Sequence, residues 1–431
     1  MYWPSDFPPR RAPADPSLTD GESAPELAST KMLPVGMGRS YGDVCLLANG
    51  TLLKTRGLDR FQSLDLETGI LRCEAGVTLD EILELCVPRG WFLPVVPGTR
   101  YVTVGGCIAN DVHGKNHHVA GTFGRYVRSL ELARSDGSRF ICSPLENVEW
   151  FHATVGGMGL TGLIVSAEIQ LHRIVSPMVR RRAFRFHGFD EFLALSSAHE
   201  AAEYSVGWMD STATGRNFAR GIFLSGDHSD QPGVLELPRH SSLNIPFDFP
   251  GHTLNRLSVG VFNSLYYRTL GTKQSVQLVN YDSFFFPLDR ILHWNRLYGK
   301  RGMVQFQCVL PLTADPLALL QLMKAVAAAG VSSFLAVLKV FGELVSPGIL
   351  SFPMQGISLA LDFPIHGDDT FDLMDRLARI TAEHGGRLYP AKDARMTALQ
   401  FQGFYPQWQQ FAAFVDPAFS SSLWERVSER V

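Results

Sequence analysis

"PGTRYVTVGGCIANDVHGKNHH", at residues 97–118, combines a glycine pair with three histidines and a lysine. Glycine tolerates positive φ and lets backbone N–H groups approach anionic oxygens closely. The histidines are open to three interpretations: a metal site, a loop that lines a cofactor, or a loop held by its own hydrogen bonds. The surrounding sequence has to decide between them.

Three further glycine-rich segments lie nearby, at 34–43, 120–124 and 153–162. One such loop is usually only a turn. Several within a short span, rich in Ser and Thr, favour a cofactor that carries a diphosphate. None matches the Rossmann G-x-G-x-x-G with its downstream acid or the P-loop G-x-x-x-x-G-K-[ST]. The sequence therefore predicts a phosphate cradle of another kind.

The composition is that of an ordinary globular protein. The 431 residues are 45% hydrophobic and 19% charged, and the formal net charge is −3. Such a charge gives no electrostatic basis for nucleic-acid binding. The six cysteines are widely spaced without a C-x-x-C pair, which favours reduced thiols and a cytoplasmic protein.

No part of the sequence reads as a membrane anchor. The first 30 residues are rich in proline and acids, lack an apolar signal core, and predict a loosely held arm. The apolar window 317–341 is interrupted by polar residues and predicts a buried helix followed by a strand. We expect a cytoplasmic protein with at most peripheral contact to the inner face of the plasma membrane.

Several local patterns predict individual elements. Residues 78–90 have helical spacing and a capping box of Thr78 with Glu81. Residues 128–142 predict a hairpin that turns at Asp136-Gly137, and 162–174 predict a strand.

Farther on, three strands predict a sheet with polar groups on one apolar face. In 303–310, Gln305 and Gln307 alternate with core residues; Lys339 lies in 332–341, and Ser358, Ala360 and Asp362 share one face of 356–363. Helices are predicted at 315–329 and 369–384. Such a sheet would cover a ligand.

Four motifs together resemble a known family. They are GMGRSYGD at 36–43, residues 97–124, ATVGGMGLTG at 153–162, and YPAKDAR at 389–395. The chain is similar to FAD-linked oxidoreductases of the vanillyl-alcohol-oxidase type, and within them to the flavoprotein oxidase subunits of decaprenylphosphoryl-β-D-ribose 2′-epimerases. The resemblance extends over about residues 33–405.

The resemblance implies an α+β, two-domain fold. The FAD-binding domain would comprise residues 1–176 and a C-terminal return at 387–431. Residues 177–386 would form the substrate-binding domain, whose antiparallel sheet roofs the flavin.

The resemblance also implies the cofactor contacts, with no metal bound. The matching positions are Gly36, Gly38, Arg39, Ser40, Tyr41, Gly42, Gly98, Thr99, Thr103, Val104, Gly105, Gly106, Asn110, His113, Ile164, Tyr389, Ala391 and Lys392. Many relatives attach FAD covalently through a histidine at the position of Arg39, so the FAD implied here is noncovalent. A metal at the histidines is disfavoured because Lys115 would repel a cation. For His117 and His118, a hydrogen-bonded loop stays an alternative.

The implied chemistry is oxidation of a secondary alcohol. Lys392 would stabilise negative charge on the reduced flavin, although its simpler interpretation is a surface lysine. Tyr41 and His113 are candidates to position the substrate or to take its proton. The candidate substrate-binding residues are Lys115, Trp208, Gln305, Gln307, Lys339, Ser358 and Ala360. Lys339 would meet the substrate phosphate or extend to solvent at the strand end, and Trp208 would contact the sugar or fill the core.

Three departures bear on the substrate. Mycobacterial relatives have an Asn-x-Cys pair where this chain has Ser358 and Ala360, and a tyrosine where it has Phe286. We expect Ser358 and Phe286 to face the pocket. Residues 244–268 join turn residues to an apolar run and predict either a lid that touches a membrane or a core segment.

The function implied is FAD-dependent oxidation of the 2′-hydroxyl of a polyprenylphosphoryl-β-D-ribose to the 2′-keto sugar. A separate NAD(P)H-dependent short-chain reductase would complete the epimerisation to the arabinose form. The alternatives are a sugar-alcohol or aldonolactone oxidase acting on a soluble substrate, and a binding protein without turnover.

Overall fold

The computed structural model of the protein describes residues 31–238, 242–251, 253–271, 274–314, 317–333 and 335–429, so the predicted N-terminal arm lies outside it. The strands are β1 (Met32–Val35), β2 (Thr51–Lys54), β3 (Phe61–Leu64), β4 (Ile70–Glu74), β5 (Trp91–Phe92), β6 (Val127–Ala133), β7 (Arg139–Cys142), β8 (Leu163–Gln170), β9 (His172–Arg173), β10 (Met178–His187), β11 (Tyr204–Met209), β12 (Arg220–His228), β13 (Leu243–Asn244), β14 (Gln274–Asn280), β15 (Ile291–Leu292), β16 (Met303–Pro311), β17 (Ala336–Phe341), β18 (Gly356–Pro364) and β19 (Arg387–Leu388). The α-helices are α1 (Leu79–Cys86), α2 (Val104–Ala109), α3 (His117–Ala120), α4 (Val148–Thr154), α5 (Gly188–Ala198), α6 (Arg256–Thr269), α7 (Tyr281–Phe285), α8 (Leu317–Ala328), α9 (Asp368–Glu383), α10 (Ala398–Phe404), α11 (Trp408–Ala412) and α12 (Ser422–Val427).

The first half of the chain forms a five-stranded antiparallel sheet in the order β3-β4-β8-β6-β7. The predicted hairpin is confirmed, because β6 pairs with β7 around a turn in which Gly137 has φ +85°. The predicted helix at 78–90 is confirmed as α1, which ends at Cys86. Its capping box is formed, since Thr78 and Glu81 each accept a hydrogen bond from the other's backbone N–H.

An eight-stranded antiparallel sheet follows, in the order β14-β10-β12-β11-β17-β18-β16-β19. Its β16 has the predicted alternation: Val304, Phe306 and Cys308 are buried in the core, while Gln305 and Gln307 face a cavity. Helices α8 and α9 pack on the core face, as the spacing predicts. The strand predicted at 332–341 begins only at Ala336.

One strand prediction needs correction. Residues 162–174 are not one strand, because β8 ends at Gln170 and, after Leu171, His172 and Arg173 form β9. β9 leaves the five-stranded sheet and pairs with β5 instead.

The end of the chain joins the large sheet to β1, which pairs with β2 in a separate two-stranded sheet. β19 pairs with β16 at the edge of the large sheet, and a 3₁₀ turn over Pro390–Lys392 follows directly. The chain then runs back to β1, where Met32 N donates to Ala418 O at 2.7 Å. In the described part of the chain, none of the helices is long and apolar enough to cross a membrane.

Candidate active site

A cavity of about 910 Å³ lies between the glycine loops of the first half and the open face of the large sheet. Its size is at the upper end of the range typical of cofactor and substrate sites. The residues named from the sequence that line it are Gly36, Gly38, Arg39, Ser40, Tyr41, Gly98, Thr99, Thr103, Gly105, Gly106, Asn110, His113, Lys115, Ile164, Trp208, Gln305, Gln307, Lys339, Ser358, Ala360, Tyr389, Ala391 and Lys392.

Two of the named cofactor residues lie behind this lining. A Cβ on Gly42 would be 1.6 Å from the carbonyl oxygen of Asp393, so this glycine is needed for close backbone packing. Val104 is fully buried in the core, and its N–H donates to Val77 O at 2.8 Å. Both residues lie outside the lining of the cavity, so they shape it through packing.

Two loops present free backbone donors to the cavity. No described residue accepts a hydrogen bond from the N–H of any residue of 37–40, or from those of Gly98 and Thr99. Gly38 has φ +58°, and a Cβ on Gly38 or Gly98 would meet no atom within 4 Å. Successive N–H groups around open space form a concave site for an anion. The loops therefore fit the predicted diphosphate.

The N-terminus of α2 does not contribute free donors in this way. Thr103 caps it by accepting from Gly106 N at 3.1 Å, and the N–H of Gly105 donates to Ala75 O at 2.7 Å. Thr103 also lies against Gly36, where a Cβ would come within 2.2 Å of its Oγ1. The Thr103 side chain thus joins the two glycine loops.

His113 is a buried, neutral imidazole. Burial and the nearby charge of Lys339 hold its pKa well below the usual value. Its Nε2 accepts a hydrogen bond from the amide of Gln307 at 2.9 Å, and Gln307 in turn lies 3.4 Å from Ser358 Oγ. Nδ1, which carries the proton in this tautomer, has no partner among the described residues.

A lysine and a carboxyl group are buried together at one end of the cavity. Burial lowers the pKa of Lys392 and raises that of Asp362, while their mutual attraction opposes both shifts. The Lys392 ammonium lies 4.1 Å from the centre of the Tyr41 ring, and Gln305 donates to Asp362. Burial also raises the pKa of Tyr41, which keeps its hydroxyl protonated.

Two more lysines face the same cavity. Burial lowers the pKa of Lys339 to about 8 and, with the charge of Lys339, that of Lys115 to about 7. Lys115 donates to the carbonyl of Phe284 and, at 3.5 Å, to that of Phe285. Within the described residues, neither lysine has an ion-pair partner. The cavity therefore has unbalanced positive charge that favours an anionic ligand.

The two other histidines of the opening segment do not line the cavity. His118 Nε2 lies 2.8 Å from the carbonyl oxygen of Ala202, so it holds the loop to a neighbouring segment. His117 is buried with its ring 4.4 Å from that of Phe341.

The remaining sugar-site candidates differ in position. Trp208 lines the cavity and packs edge-to-face on Tyr266, with ring centres 4.6 Å apart. Ser358 and Ala360 also line it, as expected. Phe286 does not, because it is fully buried near the Arg100 guanidinium, so the expectation that it faces the pocket is wrong.

Asp362, Asp289 and Trp294 are among the lining residues that the sequence analysis did not name as site residues. Asp362 lies two positions beyond Ala360 on β18, so the alternation that identified Ser358 and Ala360 also points to it. Asp289 and Trp294 come from an irregular segment and had no such signal.

Comparison with known proteins identifies the family. Residues 25–143 match the model of an FAD binding domain. The decaprenylphosphoryl-β-D-ribose oxidase of Mycolicibacterium smegmatis is 35% identical over 91% of this chain and 88% of its own length. The chain belongs to this family of FAD-linked oxidoreductases.

Other relatives show how far the similarity reaches. An uncharacterised protein of Streptomyces coelicolor is 31% identical over 81% of this chain and its own whole length. The human Δ24-sterol reductase is 35% identical over 25% of this chain and 21% of its own. The predicted FAD cofactor and the α+β fold of the vanillyl-alcohol-oxidase type are confirmed.

Proposed function

We propose that this protein oxidises the 2′-hydroxyl of a polyprenylphosphoryl-β-D-ribose to the 2′-keto sugar with FAD. One observation carries the proposal: a single cavity combines an anion cradle, a buried lysine–carboxyl pair and two lysines that face no described carboxylate. The activity named for the M. smegmatis relative supports the choice of substrate.

The free N–H groups of residues 37–40, Gly98 and Thr99 would hold the FAD diphosphate. Lys392 would lie near the flavin, where its charge favours the reduced form. When bound, FAD accepts the hydride that leaves the carbinol carbon. Because Arg39 has no nucleophile to form a covalent link, the cofactor is noncovalent in this proposal.

The hydroxyl proton would leave to Asp362. Tyr41 stays protonated, and His113 has Nε2 occupied by the Gln307 amide, so both act as hydrogen-bond donors that orient the sugar. Asp362 is a carboxylate at neutral pH whose raised pKa makes it a better proton acceptor. Lys392 stabilises its charged form.

The substrate phosphate would lie between Lys115 and Lys339. Both ammonium groups are desolvated, and the charge of Lys339 lowers the pKa of Lys115, which indicates that they are close. A phosphate supplies the anion that relieves this repulsion. The sugar would contact the remaining candidate residues, which are Gln305, Ser358, Ala360 and Trp208.

The lipid would enter past α6. The outer face of this helix exposes apolar side chains, with Leu257 at 77%, Leu265 at 60% and Val261 at 53%, and Phe262 lines the cavity opening. Only Val259, Asn263 and Tyr267 of this helix are buried, which contradicts the core interpretation of this segment. The inner face of the plasma membrane would cover the exposed apolar face of α6. A separate NAD(P)H-dependent reductase would consume the keto sugar.

Anaerobic flavin bleaching tests the function directly. The purified, FAD-loaded protein should lose its flavin absorbance on addition of a polyprenylphosphoryl-β-D-ribose analogue and release free FAD on acid precipitation. Bleaching by free polyols but not by the lipid would transfer the assignment to a sugar-alcohol oxidase. No bleaching by either class would refute an oxidase function.

The Asp362→Asn variant should bleach about 10²- to 10⁴-fold more slowly, because the amide keeps the shape but takes up no proton. In the wild type, the bleaching rate should fall as the pH drops through the raised pKa of this carboxyl group, and the variant should lack that decline. Stopped-flow absorbance measures both. Asp375→Asn, which changes an exposed ion pair with Arg395, is the control. An unchanged rate in Asp362→Asn would assign the proton transfer elsewhere.

Substrate affinity should depend on pH through Lys339. The lysine is charged below its pKa of about 8 and neutral above it, so the Kd of the phosphorylated substrate should rise as the pH increases through this value. Loss of one charged hydrogen bond should weaken substrate affinity by about tenfold. The Lys339→Met variant should bind weakly at every pH, and an analogue without the phosphate should show no such dependence. A pH-independent Kd for the wild type would contradict the role of Lys339.

Vesicle binding tests α6. The double variant Leu257→Glu with Leu265→Glu should no longer sediment with vesicles of phosphatidylglycerol and phosphatidylcholine, because two charges replace the apolar contact. Its bleaching by a short-chain, soluble analogue should be unchanged. Leu399→Glu, on α10, matches the substitution at another exposed leucine. Equal sedimentation of the double variant and the control would show that α6 does not contact the membrane.

A further inference from the structure

Three side chains outside the cavity come together where the β5–β9 pair meets the large sheet. His172 lies in β9, Glu203 precedes β11, and His228 ends β12. Their potential ligand atoms all lie within 4.8 Å of one another. His228 Nδ1 is 3.2 Å from Glu203 Oε2, and His172 Nε2 is 3.8 Å from Glu203 Oε1.

The backbone holds this cluster in place. The N–H of His228 donates to Glu203 Oε2 at 2.7 Å, and the N–H of Glu203 donates to Asp227 Oδ1 at 2.9 Å. The His228 ring packs edge-to-face on Phe92, with centres 4.9 Å apart. Its Nε2 is buried without a partner in the described part of the chain, so Nδ1 is the nitrogen that faces the carboxylate. The ligand atoms are therefore oriented before any ion arrives.

We propose that His172, Glu203 and His228 bind a divalent transition metal of the Zn²⁺ class. Two imidazoles and one carboxylate are a common donor set for zinc. In a tetrahedral site with bonds of about 2.0–2.1 Å, ligand atoms are about 3.3 Å apart. Two of the observed separations, 3.2 and 3.8 Å, are near this value, and all three ligand atoms lie within 4.8 Å of one another.

Metal binding would displace the proton that His228 Nδ1 shares with Glu203 Oε2 across 3.2 Å in the metal-free protein.

The ion would reach the cluster from solvent, and one coordination position would stay open to water. The side chains of His172 and Glu203 are 46% and 38% exposed. The Tyr204 hydroxyl lies 3.3 Å from His228 Nδ1. It would give up this contact when an ion binds, and solvent would supply the fourth ligand.

A metal here would join the β5–β9 pair to the large sheet, next to the substrate cavity. β9 pairs with β5, while β12 belongs to the large sheet. The His228 ring also contacts that of Phe285, whose carbonyl accepts from Lys115 in the cavity wall. The ion would therefore stabilise the wall that carries Lys115 without contacting the cofactor.

Isothermal titration of the FAD-loaded, chelator-treated protein with ZnCl₂ tests the site. We expect one Zn²⁺ per chain and a higher thermal unfolding midpoint in its presence. His172→Ala and Glu203→Gln should each weaken binding at least tenfold. Both side chains are partly exposed, so the variants should fold and keep their FAD.

His384→Ala, at a partly exposed histidine outside the cluster, is the matched control and should bind as the wild type does. Absence of a saturable site in the wild type would overturn the proposal. Equal affinity in His172→Ala, Glu203→Gln and the control would overturn it as well. Flavin absorbance recorded in the same samples separates these outcomes from a failure of the oxidase proposal.

Discussion

The cavity depends on the packing of residues 389–393 against both glycine loops. The N–H of Tyr41 donates to Ala391 O at 3.0 Å, and the Tyr389 hydroxyl donates to Asn110 O at the same distance. The Tyr389 N–H donates to Gln307 O at 2.9 Å, which links this segment to the large sheet. Three distant parts of the sequence are joined here, and the approach is so close that position 42 has no room for a Cβ.

Charge burial is the main energetic cost of this arrangement. Lys115, Lys339 and Lys392 are all desolvated, and of the three only Lys392 interacts with the carboxyl group of Asp362. A buried cation without a partner is unfavourable, and the lowered pKa values of the lysines are the sign of that cost. An anionic ligand bound as proposed would reduce this cost and so stabilise the cavity. The same buried lysine charges that would select an anionic ligand also destabilise the cavity in its absence.

Much of the site could be predicted because it lies on regular elements or within compact motifs. The two-residue period of β16, β17 and β18 placed Gln305, Gln307 and Lys339 on the cavity face. The same alternation predicts that Asp362 lies on that face, but it gave no sign that Asp362 belongs to the site. The failures come from irregular backbone, where position in the sequence does not determine direction.

Phe286 and Gly42 illustrate this limit. Both are neighbours of lining residues, yet Phe286 turns into the core and Gly42 packs on Asp393. The cluster of His172, Glu203 and His228 had no sequence signal either, because its members come from three elements. Only the departure of β9 from the small sheet brings His172 to the other two residues.

The unpaired N–H groups of residues 37–40, Gly98 and Thr99 also matter before catalysis begins. Without the cofactor these donors have only water as a partner, and the loops that carry them lose the ligand that would hold them together. Binding of FAD to the folded state alone raises its stability in proportion to the logarithm of the free cofactor concentration. A newly made chain that meets little FAD is exposed to proteolysis for longer. If these donors hold FAD as proposed, the flavin supply of the cell would affect how much of this protein accumulates as well as how much of it is active.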